Sequence, residues 1–465
     1  MICKRKHIIP ITLLFLLLLT ACKNKVVEPQ GIVRDFQQIT DSGEINVLTL
    51  SGSMSYFIYK GQEMGYEYEL LKNFAEENNL KVNLILAENE VALIEMLEQG
   101  VGDLIAYNIP ITNAGKERFI YCGRETINEQ VLVQRSNKGD TILRDVLDLI
   151  GKDIWTIYDS KYHHRLVNLN DESGGGINIL AIDQDTISTE DLIEKVSRGE
   201  IPYTVSDFDL AKLNKTYHSN INIDLKISHP QRSAWLVGKN SPELASVLND
   251  WFYINSNTPK HRSITKRYFE MSKLPGDEPV SFIGANNISP FDNYFKQHAS
   301  LIGWDWKLLV SIAFQESKFH TDKVSWAGAT GLMGLMPRTA RAFGITTPEE
   351  MTDPEASIRA ATQLIKRLDK IFSSIEDEHE RIKFILAAYN AGSGHIYDAQ
   401  ALARKHGKNP IVWKGNVEEY LKLKQLPEYY NDPVCKQGYF RANETIHYVQ
   451  AVIERWQHYQ LNIEN

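Results

Sequence analysis

At 465 residues the chain is long for one domain and has room for two or three. Its 43% hydrophobic and 24% charged content is ordinary for globular protein. A formal charge of -8 argues against a nucleic-acid partner, since no basic excess is available to neutralise phosphates.

The N-terminus carries the first specific signal. Lys4, Arg5 and Lys6 form a basic flank ahead of an apolar run from Ile8 to Leu19. That run is shorter than the roughly 20 residues that cross a bilayer. Leu19-Thr20-Ala21-Cys22 resembles a bacterial lipobox. The resemblance implies that residues 1–21 are a signal peptide and that Cys22 is acylated and holds the protein on a membrane of the cell envelope. Lys23 after the cysteine resembles outer-membrane sorting, with the protein facing the periplasm. Two or more acyl chains anchor stably, whereas one holds only marginally.

Cys3 would leave with the signal peptide, so Cys122 and Cys435 remain, far apart in sequence. Two isolated buried thiols are expected rather than a disulfide framework. The histidines are scattered, and His163-His164 has no ligand spacing, so the sequence calls for no metal and no cofactor.

Residues 22–43 are polar and aperiodic and are expected to be a tether that keeps the folded part near the membrane. From Glu44 strands and helices alternate. INVLTL is a β-branched apolar run; YEYELLKNFAEENN sets Leu70, Leu71, Phe74 and Ala75 at helical spacing. KVNLILA alternates as a strand, VALIEMLEQG is a short helix stopped at Gly100, and DLIAYNIPI is a third strand. WTIYDS, INILAI and IPYTVSDFD continue the series, which predicts a parallel α/β sheet.

Residues 44–270 resemble the extracellular solute-binding proteins of family 3, through INVLTL, GYEYELLKNFA and LEQGVGDLIAYNIPITNAGKERFIYC. The resemblance implies two α/β lobes with a small-ligand cleft between them. Amino-acid-binding members place an arginine three residues after the threonine of that passage, where it grips the ligand carboxylate. Here Gly115 holds that place, leaving Arg118 as a shifted candidate. Asp207 stands where the family has an amine-binding aspartate, although a strand-end turn residue explains it equally well. A regulatory domain with altered specificity is expected. Residues 271–287, rich in Pro, Gly, Ser and Asn, form a linker.

Over residues 288–465 helical signals take over. In WDWKLLVSIAFQESKF, Leu308, Leu309, Ile312 and Ala313 form an apolar stripe with Glu316 one turn beyond. A carboxyl at the end of such a stripe suits a general acid, but periodicity alone leaves a solvent-facing helix-end glutamate equally open.

ESKFHTDKVSWAGATGLMGLMPRTA, LAAYNAGSGHI and ETIHYV together resemble the family 1 soluble lytic transglycosylases. The wider run from ISPFDNYFKQHASLIGWDW onward resembles the membrane-bound lytic murein transglycosylase F family, which carries a solute-binding-like domain ahead of its catalytic one. The implied architecture is multidomain: a two-lobed α/β domain like the periplasmic binding proteins, then a mainly α lysozyme-like domain. The implied activity cleaves the β-1,4 bond between N-acetylmuramic acid and N-acetylglucosamine in peptidoglycan glycan strands, leaving a 1,6-anhydro end.

On that resemblance Glu316 is the acid and then the base, Ser325 binds near the muramyl acetamido group, and Tyr448 orients the glutamate. Met333 and Met336 wall the groove, although plain core packing explains them equally well, and Tyr389 and Asn390 meet the sugar. Glu444, one turn before Tyr448, is expected to bond within the helical core. Gly334 replaces a glutamine common in the family, which removes an amide from the substrate's reach. A hydrolytic muramidase of the same fold and a non-catalytic peptidoglycan-binding lipoprotein remain as alternatives.

Overall fold

The computed structural model describes residues 34–183, 187–273 and 287–463. Cys22 and most of the expected linker therefore lie outside the described residues.

The first domain has two lobes, each built on a five-stranded sheet. The first lobe comprises β1 (Glu44–Leu50), β4 (Lys81–Ala87), β5 (Leu104–Pro110), β6 (Phe119–Asn128) and β12 (Gln231–Gly238), in the order β4-β1-β5-β12-β6. The second comprises β7 (Gln130–Arg135), β8 (Asp153–Ile157), β9 (Asn178–Ile182), β10 (Tyr203–Asp207) and β11 (Ile221–Asn222), in the order β11-β7-β10-β8-β9. The expectation of a parallel sheet holds only in part. β4, β1 and β5 are parallel, as are β10, β8 and β9, but β12 runs antiparallel to β5 and β6, and β7 antiparallel to β10 and β11. The chain leaves the first lobe along β6 and returns along β12, so these two strands lie side by side in opposite directions.

The helix Tyr66–Glu77 buries Leu70, Leu71, Phe74 and Ala75, the stripe its spacing predicts. The stretch expected as a tether is folded from Arg34 on. The helix Phe36–Ser42 is started by a capping box between Asp35 and Gln38 and buries Ile39. The Asp35 carboxylate also accepts from the backbone N–H groups of Glu243 and Leu244 (3.1 and 2.8 Å), tying this helix to the start of Pro242–Asn255. Cys122 is buried and Cys435 half-buried, both free thiols.

β2 (Phe57–Tyr59) and β3 (Gln62–Met64) form a separate hairpin with Tyr59 opposite Gln62. Its two-residue turn is Lys60-Gly61, both with positive φ (49° and 73°), the backbone that matches strand twist in short hairpins. A lysine there costs about 1 kcal/mol relative to glycine.

The second domain is helical around one core. Trp306–Ser317 packs against Ala442–Asn462, and Glu378–Ala391 lies between Pro354–Ile371 and the same long helix. Leu308, Leu309, Ile312 and Ala313 are all buried. Truncating Ile312 to alanine would cost about 2–5 kcal/mol, since nothing mobile can refill the space. No helix among the described residues is long and apolar enough to cross a membrane.

Candidate active site

The helix Trp306–Ser317 begins at Asp305, whose carboxylate caps Lys307, and delivers Glu316 on its last turn. The reversal that follows uses two left-handed residues, Lys318 (φ 51°) and Phe319 (φ 71°). Ser317 holds it by donating to the Ala313 carbonyl (3.1 Å) and accepting from Phe319 N–H (3.1 Å). The serine of the Glu-Ser pair thus fixes where the helix ends.

Residues 325–335 fold into tight turns under Glu316. Ser325 N–H donates to the Ala329 carbonyl (2.8 Å), and Ser325 Oγ accepts from Ala329 N–H (3.0 Å). Gly334 has φ 60°, and a Cβ added there would collide with the Glu316 carboxylate. The space a glutamine side chain would enter at this position is thus filled by the Glu316 carboxylate.

The helix Glu378–Ala391 brings Tyr389 and Asn390 to the groove. Tyr389 donates to the Met333 carbonyl (2.7 Å), and Asn390 Oδ1 accepts from Thr445 (2.6 Å). Tyr448 is buried with its hydroxyl toward Glu316; burial and then the Glu316 charge push its pKa well above the usual phenol range. Among the described residues that hydroxyl makes no well-formed hydrogen bond.

Glu316, Ser325, Asn390 and Tyr448 line one cavity of about 470 Å³, while Met336 and Tyr389 line a neighbouring one of about 430 Å³. Met333 departs from expectation. Its side chain is fully buried in the helical core rather than in the groove, because the turn it sits in points it down onto the helices. Glu444 departs the other way. It lies in the 470 Å³ cavity beside Glu316, and burial pushes its carboxyl above the ordinary carboxylate range.

Sequence reasoning missed what separates the two cavities. The Lys60-Gly61 turn enters the groove, and Lys60 lines both cavities. Its Nζ lies 3.4 and 3.3 Å from the two Glu316 oxygens, and the two side chains are only 8% and 9% exposed. Lys60 N–H donates to the Ala391 carbonyl (3.2 Å), Tyr59 donates to Glu444 (3.3 Å), and His395 Nε2 meets the Ile58 carbonyl (2.9 Å). The Tyr59 ring rests against Trp326, centroids 5.4 Å apart.

The second lobe closes over the same groove. The helix Thr189–Arg198 turns Glu190, Asp191 and Glu194 toward the catalytic domain. Arg441 pairs with Glu190 (3.0 Å) and bonds Asn214 (2.8 Å) while stacked on Tyr217; Asn443 bonds Asp191 (3.0 Å) and also Glu194.

In the first domain neither expected ligand residue is free. Arg118 pairs with Glu98 (2.8 Å at Nε) at the surface of the first lobe. Asp207 is paired with Lys161 (2.5 Å). The arginine of the family has no room at position 115, where a Cβ would collide with the Tyr121 hydroxyl. A buried carboxyl, Glu67, accepts from Trp235 Nε1 and Asn108 Nδ2 (2.8 Å each), and burial pushes it up to about 7.

Two family models match the chain: the bacterial extracellular solute-binding proteins, family 3, over residues 45–271, and the transglycosylase SLT domain over residues 293–412. Among curated proteins it is 31% identical over 420 residues to a membrane-bound lytic murein transglycosylase F of Desulfosudis oleivorans, covering 90% of each chain. It is 31% identical over 419 residues to the namesake of Shewanella halifaxensis, covering 89% of this chain and 85% of that one. A third, from Pseudomonas putida, is 27% identical over 448 residues, 94% and 87% of the respective chains.

Proposed function

Because the chain belongs to the membrane-bound lytic murein transglycosylase F family and is a peptidoglycan lytic transglycosylase, we propose that Glu316 is its single acid and base. Glu316 gives its proton to the bridging O4 as the bond from C1 of N-acetylmuramic acid breaks. It then takes the proton of the C6 hydroxyl, whose oxygen closes on C1 to form the 1,6-anhydro ring. No water is consumed, so no second carboxylate is required, unlike in hydrolytic glycosidases. The observation that carries this reading is Glu316 in a cavity of about 470 Å³ that Ser325 and Tyr448 also line, with a second cavity of about 430 Å³ on the other side of Lys60.

Glu444 is the one feature that favours a hydrolytic muramidase. Burial raises its carboxyl above the ordinary range, which suits a proton acceptor, while its hydrogen bond from Tyr59 (3.3 Å) ties it to the hairpin rather than to a water. Murein digestion by the Glu316→Gln and Glu444→Gln variants separates the readings. Loss of soluble fragments only in the first supports the single acid and base; comparable loss in both supports a carboxylate pair.

The hairpin-filled groove is the resting state in this reading. With Lys60 Nζ against both of its oxygens, Glu316 is not free to meet a glycosidic oxygen, and a glycan strand cannot pass while Lys60 and Gly61 divide the groove. Opening requires the first domain to move, which is what a small ligand between its lobes would bring about. With Gly115, Arg118 and Asp207 as placed, that ligand is not held as an ordinary amino acid would be. The lipobox supports acylation at Cys22 and residence on the outer membrane facing the periplasm.

A further inference from the structure

His395 lies outside the residues so far given a part in catalysis, yet it is built into a buried network. Its ring stacks on Phe440, centroids 4.3 Å apart, and its Nδ1 is 3.0 Å from Lys424 Nζ. Lys424 is fully buried and pairs with Asp398 (2.6 Å). Asp398 is itself fixed by the backbone N–H groups of Lys436 (3.0 Å) and Gln437 (2.9 Å).

An ammonium has only donors, so Nδ1 must be the acceptor and the ring proton must sit on Nε2. Burial and the Lys424 charge push the His395 pKa well below the usual range, which keeps the ring neutral. The result is a fixed N–H donor aimed from the wall of the 430 Å³ cavity. In this conformation it donates to a peptide carbonyl, that of Ile58. A satisfied buried network spent on one removable backbone oxygen calls for a second acceptor when the hairpin leaves.

We propose that His395 is a glycan-binding residue whose Nε2–H donates to the acetamido carbonyl of an amino sugar seated in this arm of the groove, in place of Ile58. The acetamido group is the only amide on the glycan backbone and presents the same acceptor as the peptide it displaces. Lys424 and Asp398 are positioning residues that act through the imidazole. The proposal rests on the groove being the glycan site.

The test uses the full chain carrying Glu316→Gln, which removes both turnover and the ion pair with Lys60. Binding is measured by calorimetry to a β-1,4 oligomer of N-acetylglucosamine and to its de-N-acetylated counterpart. Adding His395→Leu should weaken binding of the acetylated oligomer about tenfold, the worth of one hydrogen bond, and leave the de-N-acetylated oligomer unaffected. His395→Gln, which keeps a side-chain N–H, should recover part of the loss, and this guards against a mere folding defect. Equal binding of the acetylated oligomer with and without His395→Leu, or an equal loss for both oligomers, overturns the proposal while the groove reading stands. No binding of either oligomer by the chain that retains His395 overturns both.

Discussion

Lys60 Nζ sits 3.3 Å from Glu316 Oε2, although 256 residues separate the two along the chain. One belongs to a hairpin turn of the solute-binding-like domain, the other to the last turn of a helix in the catalytic domain. With Glu316 as the proposed acid and base, their pairing would make the state of the first domain a condition on the chemistry of the second.

Removing that pair should therefore free the enzyme. In Lys60→Ala the closed arrangement loses an ion pair shielded from water, and every ~1.4 kcal/mol taken from it raises the open population tenfold. Release of soluble fragments from purified murein should rise several-fold, with the thermal stability of the chain slightly reduced. A rate equal to that of the unaltered chain contradicts the closed-state reading.

Gly334 should not accept a glutamine, the residue the family resemblance implies at this position. Its φ of 60° disfavours any side chain by about 1 kcal/mol, and a Cβ there meets the Glu316 carboxylate. Gly334→Gln should lower the melting temperature by several degrees and cut murein turnover more than tenfold. An increase in turnover would show that Glu316 relaxes elsewhere without loss.

Tyr448→Phe should split activity from stability. The hydroxyl is buried with no well-formed hydrogen bond among the described residues, so deleting it relieves a desolvated group and leaves stability unchanged or raised by about 1 kcal/mol. If the phenol orients Glu316 once Lys60 withdraws, turnover should nevertheless fall about tenfold. A fall in both, by matched amounts, would assign Tyr448 to packing alone.

Glu67 predicts a pH dependence of stability. Burial raises its carboxyl from 4.5 to about 7, so the folded chain holds a proton that the unfolded chain has released across that interval. Its contribution is fully present below pH 4.5 and is lost as pH rises toward 7, by on the order of 3 kcal/mol. Thermal melts of Glu67→Gln should be flatter than those of the unaltered chain between these values. Parallel curves would place the titration elsewhere.

Much of this arrangement was legible in residue order. The stripe Leu308, Leu309, Ile312 and Ala313 is buried as its spacing requires, and the six strand runs from INVLTL to IPYTVSDFD became β1, β4, β5, β8, β9 and β10, while β2, β3, β6 and β7 were not read. Two further signals lie in the sequence. Asp35 and Gln38 have capping-box spacing, which announces a helix inside the expected tether. Glu444 is one turn from Tyr448, so a groove position for one implies the same for the other. What residue order could not carry is the seat of the hairpin. Lys60-Gly61 reads as a turn, but nothing local says that its lysine crosses to Glu316 or that Ile58 meets His395. Those contacts depend on how the two domains dock.

The most direct test is mass analysis of the fragments that the full chain releases from purified murein. The account predicts muropeptides ending in 1,6-anhydro-N-acetylmuramic acid, one water lighter than hydrolysis products, and none from Glu316→Gln. Reducing ends that have gained water, or undiminished release by the Glu316→Gln variant, would contradict it.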